Sequence, residues 1–339
     1  MKSKILSVLK YLIFLTIGVG LFLLAIRGLD LSLIFKEIES ANYYWILLSF
    51  IPAIISYISR AIRWNILIDS LGYKTNTYTT TYAVVIGYFA NYAVPRIGEI
   101  TRCGIVSKKN NIPITALIGT VIIERVFDML CLLIITVLVI VFQIGFLGSF
   151  MYDKIFLPLI SKFSTNSSLL IIFFLLFLLI FFIIILLLRK YSLQLMKYKV
   201  YAKIYNLFKE FWNGMKSIKK IKNKKGFFFQ TFLLWFMYFL MIYIAFFAIQ
   251  GTAGLTMINA LTLLVISTFG FVAPVPGGIG AYHWIVITTL VELYGVVSEQ
   301  AASFAVIVHA SQAILVIFIG LASFLVLFFI KKKKQHVAS

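Results

Sequence analysis

Charged residues are scarce in this 339-residue chain: they make up 12% of it, against roughly 25% of an ordinary soluble domain. A soluble protein of this length could not cover its surface with so few charges, and a disordered chain would be far more polar. The two cysteines, Cys103 and Cys131, do not resemble a disulfide framework or a metal cluster. These deficits exclude soluble, disordered and disulfide-stabilised proteins.

Several catalytic motifs are also missing. The sequence has no G-x-x-x-x-G-K-[ST] phosphate loop, no H-E-x-x-H zinc motif and no G-x-S-x-G nucleophile motif. No extended soluble segment is long enough to house a transferase domain. We therefore expect no ATP bound by a P-loop, no cofactor and no metal, and we do not expect an enzyme.

Apolar residues dominate what is present, at 62% of the chain. Residues 169–188 contain no polar side chain, and about 20 such residues span a bilayer core. The net charge of +20 comes from basic residues between apolar runs, which is typical of cytoplasmic loops and not of a nucleic-acid-binding surface. The sequence thus predicts an all-α polytopic membrane protein.

Six stretches predict full spans: about 5–26, 43–59, 114–144, 169–188, 227–250 and 301–330. The first is too long for the apolar core of a signal peptide and is taken as a retained span. Arg60 and Arg63 are taken as the cytoplasmic end of the second span. With the basic residues near both termini, the positive-inside rule then places both termini in the cytoplasm.

Two further apolar stretches are short and are interrupted by Pro, Gly or Asn. If residues 79–94 crossed the membrane, the basic residues that follow would lie outside, so we predict a re-entrant helical hairpin over 79–112 that enters from the cytoplasm. A second hairpin over 259–296 is predicted to enter from outside. Asn111 and Pro113 are predicted to begin the span that follows the first hairpin.

The order of these elements predicts an inverted repeat. A first membrane half over 1–145 and a second over 146–330 are followed by a cytoplasmic tail over 331–339. The turns of the two hairpins have weakly similar sequences, GYFANYAVPRIG at 87–98 and GFVAPVPGGIG at 270–280. Paired broken helices in inverted repeats are typical of alternating-access transporters. The alternative is that the glycines only permit close helix packing.

Ionisable residues inside predicted membrane segments are the candidate site, because burying one charge costs about 3 kcal/mol or more. Glu124 and Asp128 share one face of the predicted third span, and Arg125 is spaced to reach Asp128. A structural lock between helices and a headgroup or proton site remain alternatives. Arg96 and Arg102 flank the first hairpin turn and could hold a phosphate between them. His283 and His309 are candidates for a titrating pair or for ordinary core residues.

A strongly basic cytoplasmic segment over 189–226 separates two spans of the second half. Residues 189–225 hold twelve Lys and Arg, one acid, and an apolar stripe at helical spacing. We interpret this segment as an amphipathic helix on the anionic inner leaflet, or alternatively as a helix packed on neighbouring spans.

Three motifs, NYAVPRIGEITR at 91–102, ERVFD at 124–128 and PGGIGAY at 276–282, resemble the transmembrane region of lysylphosphatidylglycerol synthases. The resemblance covers nearly the whole chain and implies a lipid-translocating domain of bacterial inner membranes. Full synthases continue into an aminoacyltransferase domain, whereas this chain stops after a short tail, so aminoacyl transfer is not expected. The family often has an acid and an Arg where His283 and His309 stand here, which leaves the lipid substrate open.

We therefore expect a lipid translocator without a catalytic centre, moving an anionic, aminoacylated or polyprenyl-phosphate-linked lipid. The alternatives are a membrane-embedded lipid-modifying transferase, with His283 or Glu124 as base, and a membrane partner of a separate lipid-modifying enzyme; self-association is also open. Two groups of residues are expected to line a polar cavity. The first group is Asn91, Pro95, Arg96, Glu99, Arg102, Glu124, Arg125 and Asp128; the second is Pro276, Gly277, Gly278, Gly280, Tyr282, His283 and His309.

The predicted orientation can be tested with single cysteines introduced at Lys108 and at Gly254. The first position follows the cytoplasmic hairpin and the second precedes the external one. An impermeant thiol reagent applied to intact cells, or to spheroplasts, should label the Gly254 variant and not the Lys108 variant. The opposite pattern, or external labelling at both positions, would contradict the inverted arrangement.

Overall fold

The computed structural model describes residues 2–151, 221–273 and 275–337, with a few scattered positions between 157 and 205. The chain divides into two compact units, one formed by residues 1–136 with 219–339 and the other by residues 137–218. Most of the predicted span at 169–188 and most of the basic segment at 189–226 lie outside the described residues. The site described below belongs to the first unit.

The regular structure in the described residues is helical, without strands. The helices are α1 (Lys2–Ala25), α2 (Leu31–Ser40), α3 (Tyr43–Ser70), α4 (Thr77–Ala93), α5 (Gly98–Asn110), α6 (Ile114–Phe142), α7 (Ile144–Met151), α8 (Lys224–Phe246), α9 (Met257–Val272), α10 (Ala281–Tyr294) and α11 (Ser298–Val337), with a 3-10 turn at Pro276–Gly278.

Four of the described helices are long and apolar enough to cross a membrane. They are Tyr43–Ser70, Ile114–Phe142, Lys224–Phe246 and the Ser298–Val326 part of α11, and each overlaps a predicted span. The apolar stretch Tyr11–Ala25 of α1 is shorter. The prediction of an all-α polytopic membrane protein is confirmed.

Helix α3 is longer than the sequence predicts. It continues to Ser70, so the predicted end of this span near Ser59 is wrong. Arg60 and Arg63 lie within this helix, and their side chains are buried against neighbouring helices instead of ending the span in water. The apolar side chains of Trp64 and Leu67 continue the buried face of the helix. The two charges misled the prediction because their partners lie on helices distant in sequence.

The first predicted hairpin consists of α4 and α5 folded against each other. A four-residue turn joins them, and Arg96 in this turn has a φ of 63°, in the left-handed region that few side chains adopt. The backbones approach so closely that a Cβ on Gly87 would lie 2.8 Å from the Gly98 carbonyl oxygen. The backbone N–H of Gly98, at the start of α5, donates to Asn91 Oδ1 at 2.8 Å.

Asn111 ends α5 in the left-handed conformation, with a φ of 54°. The prediction that Asn111 begins the next helix is therefore wrong at this position, since asparagine favours both helix starts and left-handed helix ends. Helix α6 begins at Ile114, directly after Pro113.

The second predicted hairpin consists of α9, the 3-10 turn and α10. Thr256 and Asn259 form a reciprocal capping box at the start of α9. The turn needs glycine, because Gly277, Gly278 and Gly280 have φ values of 59°, 80° and 81°. At the point where the two helices approach, a Cβ on Gly270 would lie 2.9 Å from the Cα of Tyr282.

The four hairpin helices are short, with 17, 13, 16 and 14 residues. At 1.5 Å per residue they reach about 20–26 Å, less than the roughly 30 Å of a hydrocarbon core. These lengths fit helices that enter the membrane and return. The side from which each hairpin enters, and the inverted repeat itself, stay predictions.

Apolar packing holds the first unit together in several clusters. One joins α2, the start of α3, α8, α9, α10 and α11, with Phe246, Leu290 and Phe304 fully buried. Another surrounds Trp64 between α3, α4, α5 and α6 and includes Leu117. The second cluster lies beside the charged residues described next.

The close approach of α4 and α5 gives a stability prediction. Gly87→Ala should lower the unfolding temperature in detergent, because the added methyl group would push against the Gly98 carbonyl and separate the two helices. Gly104→Ala is the matched control: this helix glycine has no neighbouring atom within 4 Å, so alanine should stabilise by up to about 1 kcal/mol through helix propensity. Equal behaviour of the two variants would contradict the packing described here.

Candidate functional site

Three helices of the first unit bring seven ionisable side chains together. Helix α3 contributes Arg60 and Arg63, α5 contributes Glu99 and Arg102, and α6 contributes Glu124, Arg125 and Asp128. Helix α8 adds hydroxyl groups. We call these seven residues the ion cluster.

Arg63 lies at the centre of the ion cluster and is fully buried. Its guanidinium contacts Asp128 Oδ1 at 2.8 Å and Glu124 Oε1 at 3.5 Å. Glu124 is also fully buried and receives a second contact, from Arg102 Nη2 to Oε2 at 2.6 Å. A buried charge without a partner is strongly unfavourable, so these contacts fix α3, α5 and α6 relative to one another.

Arg60 connects the ion cluster to α8. Its Nη1 lies 3.2 Å from Asp128 Oδ2, and its Nη2 donates to the Tyr238 hydroxyl at 3.1 Å. Arg102 packs its guanidinium over the Trp64 ring, 4.6 Å from the centroid. The Trp64 indole N–H in turn donates to the Thr120 hydroxyl at 2.8 Å, so the ring that supports Arg102 is itself held in place.

Arg125 is placed differently from what the sequence suggests. It contacts Asp128 at 3.5 Å, as the spacing predicts, but its shortest ion pair is with Glu99 of α5, at 2.6 Å. Its side chain is 44% exposed, so it is not the buried cation of the site. That role belongs to Arg63, which sequence reasoning missed. The signal was available in the continued apolar pattern after Arg63, which shows that the helix does not end there.

A narrow cleft opens beside the ion cluster, with a volume of about 220 Å³ that includes the open space at its mouth. Its walls come from α3, α4, α5 and α6. The lining residues are Arg60, Val84, Gly87, Tyr88, Asn91, Gly98, Glu99, Arg102 and Arg125. Four of the predicted site residues therefore share one cleft, and Arg60 joins them.

Arg96 does not accompany Arg102 as the sequence suggests. Arg96 is exposed in the turn after Pro95, whereas Arg102 is buried one helical turn into α5 and contacts Glu124. The arginines that line the cleft with Arg102 are Arg60 and Arg125. The expectation that Arg96 and Arg102 form one phosphate fork is replaced by this arrangement.

The second predicted group gathers at the glycine-rich turn. The rings of His283 and His309 lie in contact, with centroids 4.7 Å apart, and the Tyr282 ring packs against both. His309 Nε2 lies 2.9 Å from the Gly277 carbonyl oxygen, and the Gly280 N–H donates to His283 Nδ1 at 3.3 Å. Both histidines thus bond to the backbone of the turn, beside the buried Pro276 and the left-handed Gly278. This geometry favours a role in holding the turn.

The two hairpins meet at this turn. The Tyr92 ring of α4 packs so closely on Gly277 that a Cβ there would lie 2.5 Å from it. Helix α11 packs on α4 in the same way, with Gly320 against Phe89. Among the described residues, no group of three His, Cys, Asp or Glu side chains is placed to hold a metal ion.

The difference between Arg63 and Arg125 gives a stability prediction. Arg63→Ala should lower the free energy of unfolding by about 3–5 kcal/mol, because it leaves two buried carboxylates short of a partner. Arg125→Ala, at a half-exposed site on the same network, should cost no more than about 1 kcal/mol. Thermal unfolding in detergent measures both. Equal losses for the two variants would show that Arg63 is not the central cation.

Comparison with known proteins gives the family. The family profile described as the lysylphosphatidylglycerol synthase TM region matches residues 7–320. The protein named UPF0104 membrane protein MJ1595, of Methanocaldococcus jannaschii, is 26% identical over 299 residues, which cover 84% of this chain and 83% of the relative. No solved structure matches the chain significantly. Since the profile spans nearly the whole sequence, the chain belongs to the family of lysylphosphatidylglycerol synthase transmembrane regions.

Proposed function

We propose that this protein moves a lipid between the two leaflets of a membrane without changing it chemically. The observation that carries the proposal is the contact between the two broken hairpins, where Gly277 of the second lies against Tyr92 of the first. Helices that break inside a bilayer leave backbone groups to satisfy, which is tolerated where protein or a polar cavity receives them. In transporters, such paired broken helices meet at the substrate site.

The packing of each hairpin supports an inverted repeat as the basis of this movement. Gly87 and Gly270 begin the two similar sequence stretches, and each lies close against the backbone of the returning helix. Gly87 faces the backbone of Gly98, and Gly270 faces the backbone of Tyr282. Such close glycine contacts at matching positions of the two hairpins would let the two halves exchange conformations. The site would then open to one leaflet and afterwards to the other.

The ion cluster supports a lipid with a polar headgroup as the cargo. Its cleft reaches buried arginines from a mouth on the surface of the helical body, and the family is named for the membrane region of enzymes that make a charged phospholipid. The charge pattern suggests that both termini lie in the cytoplasm, and the family resemblance suggests a bacterial inner membrane as the setting. The positive charge of residues 189–225 also suggests that this segment binds the anionic inner leaflet.

Translocation is measured in proteoliposomes that contain a phospholipid labelled with a fluorophore on one acyl chain near the headgroup. Dithionite added outside bleaches label in the outer leaflet, so a translocator allows bleaching beyond that of protein-free liposomes. Extraction of the lipids and mass spectrometry then test for chemical change. A new lipid product would favour a transferase, and unchanged lipid with no added bleaching would favour a membrane partner of another enzyme.

A pair of glycine variants ties the movement to the contact between the hairpins. Gly277→Ala should slow bleaching about tenfold or more, because the methyl group would displace Tyr92 and strain a φ of 59°. Gly295→Ala carries the same kind of backbone strain, at a φ of 66°, but has no neighbouring atom within 4 Å. It should transport at the native rate. If both variants slow transport equally, the hairpin contact is not the moving element.

A further inference from the structure

The ion cluster has unequal numbers of positive and negative groups. Among the described residues it contains four arginines, Arg60, Arg63, Arg102 and Arg125, and three carboxylates, Glu99, Glu124 and Asp128. The cluster therefore carries one positive charge in excess. Buried cations in protein interiors are normally neutralised by a partner, so an excess beside an open cleft indicates an anionic ligand.

The arginines at this cleft also keep unused hydrogen-bond donors. Arg102 is 3% exposed, and among the described residues its Nη1 has no hydrogen-bond partner. Arg60 is 4% exposed, and its Nε likewise has none in that part of the chain. Both residues line the cleft. A buried donor left unsatisfied costs free energy, and an anion with several acceptor oxygens would satisfy both.

The start of α5 adds to the positive potential of the same cleft. Gly98, the first residue of this 13-residue helix, lines the cleft, and the helix dipole places partial positive charge there. Asn91 fixes this helix end by accepting the Gly98 N–H. Helix N-termini beside arginines are sites where phosphate groups bind.

The mouth of the cleft faces a surface suited to lipid chains. Arg125 is half-exposed on α6 between Ile122 and Met129, which share its face at helical spacing and are 45% and 60% exposed. Ile100, next to Glu99 on α5, is 59% exposed. An anion that enters here from a lipid could keep its acyl chains on this apolar surface.

We propose that the cleft between α3, α4, α5 and α6 binds the singly charged phosphodiester of a membrane lipid through Arg60, Arg102 and Arg125. One negative charge neutralises the excess of the ion cluster. The phosphate oxygens accept from the unused donors of Arg60 and Arg102, and Glu99 competes with the phosphate for Arg125. This deepens the proposed function, on which it rests, by assigning the phosphodiester as the group that is recognised.

The competition by Glu99 allows a test that damage to the fold cannot imitate. Binding of short-chain phosphatidylglycerol to the purified protein in neutral detergent is measured by native mass spectrometry and by thermal stabilisation. Glu99→Gln removes a competing negative charge from a side chain that is one-third exposed, so it should tighten binding by about tenfold. Arg102→Gln and Arg125→Gln should each weaken it by about as much. Arg27→Gln, an exposed arginine outside the cleft, should bind as the native protein does.

Two further ligands identify the source of the anion. Short-chain diacylglycerol has the same acyl chains without the phosphodiester and should not bind. Inorganic phosphate should stabilise the native protein far less than phosphatidylglycerol does at equal concentration. Equal stabilisation by inorganic phosphate and by phosphatidylglycerol would mean that the cleft binds free phosphate, and this result would overturn the lipid assignment. Unchanged or weaker binding in Glu99→Gln would overturn the site itself.

The same variants in proteoliposomes separate this site from the proposed function. Native protein that binds phosphatidylglycerol as described but moves no lipid would keep the site and overturn the translocator. Native protein that moves lipid, with Glu99→Gln and Arg125→Gln unaltered in both binding and transport, would keep the translocator and overturn the site.

Discussion

A charge inside a bilayer is stable only next to an opposite charge, and this constraint organises the first unit of the protein. Arg63 has no access to water, so α3 must be placed where Glu124 and Asp128 of α6 can reach it. Glu124 then requires Arg102, which brings α5 against the same point, and Arg60 extends the network to the Tyr238 hydroxyl on α8. The helices cannot slide past one another without separating these charges, which is far more costly than separating apolar side chains.

The first hairpin is tied to this network through α5 and to the second hairpin through α4. Arg102 belongs both to α5 and to the ion cluster, while Tyr92 of α4 lies on Gly277 of the second hairpin. Asn91, next to Tyr92, holds the start of α5. The glycine-rich turn is thus connected to Arg102 by a packing contact at Tyr92, a hydrogen bond at Asn91 and one turn of α5.

The histidines illustrate how a polar group can serve the backbone instead of a substrate. His283 and His309 each bond to the turn in which three glycines adopt left-handed conformations. Such a turn leaves backbone groups that helices do not satisfy, and buried polar groups need partners. The family resemblance suggests an acid and an arginine at these positions; the two rings here provide hydrogen bonds to the turn and aromatic packing with Tyr282.

The sequence alone determined the class of protein, because apolar length and the scarcity of charge are local properties of the chain. It also identified both hairpins, since proline, glycine and short helical stretches act locally, and it placed Glu124 and Asp128 on one face of α6 because helical spacing fixes that. It could not show that Arg63 pairs with these two carboxylates, or that Arg60 lines the cleft in place of Arg96. Arg60 and Asp128 are far apart in sequence, and only the packing of α3 against α6 decides whether an arginine ends a helix in water or completes a buried ion pair.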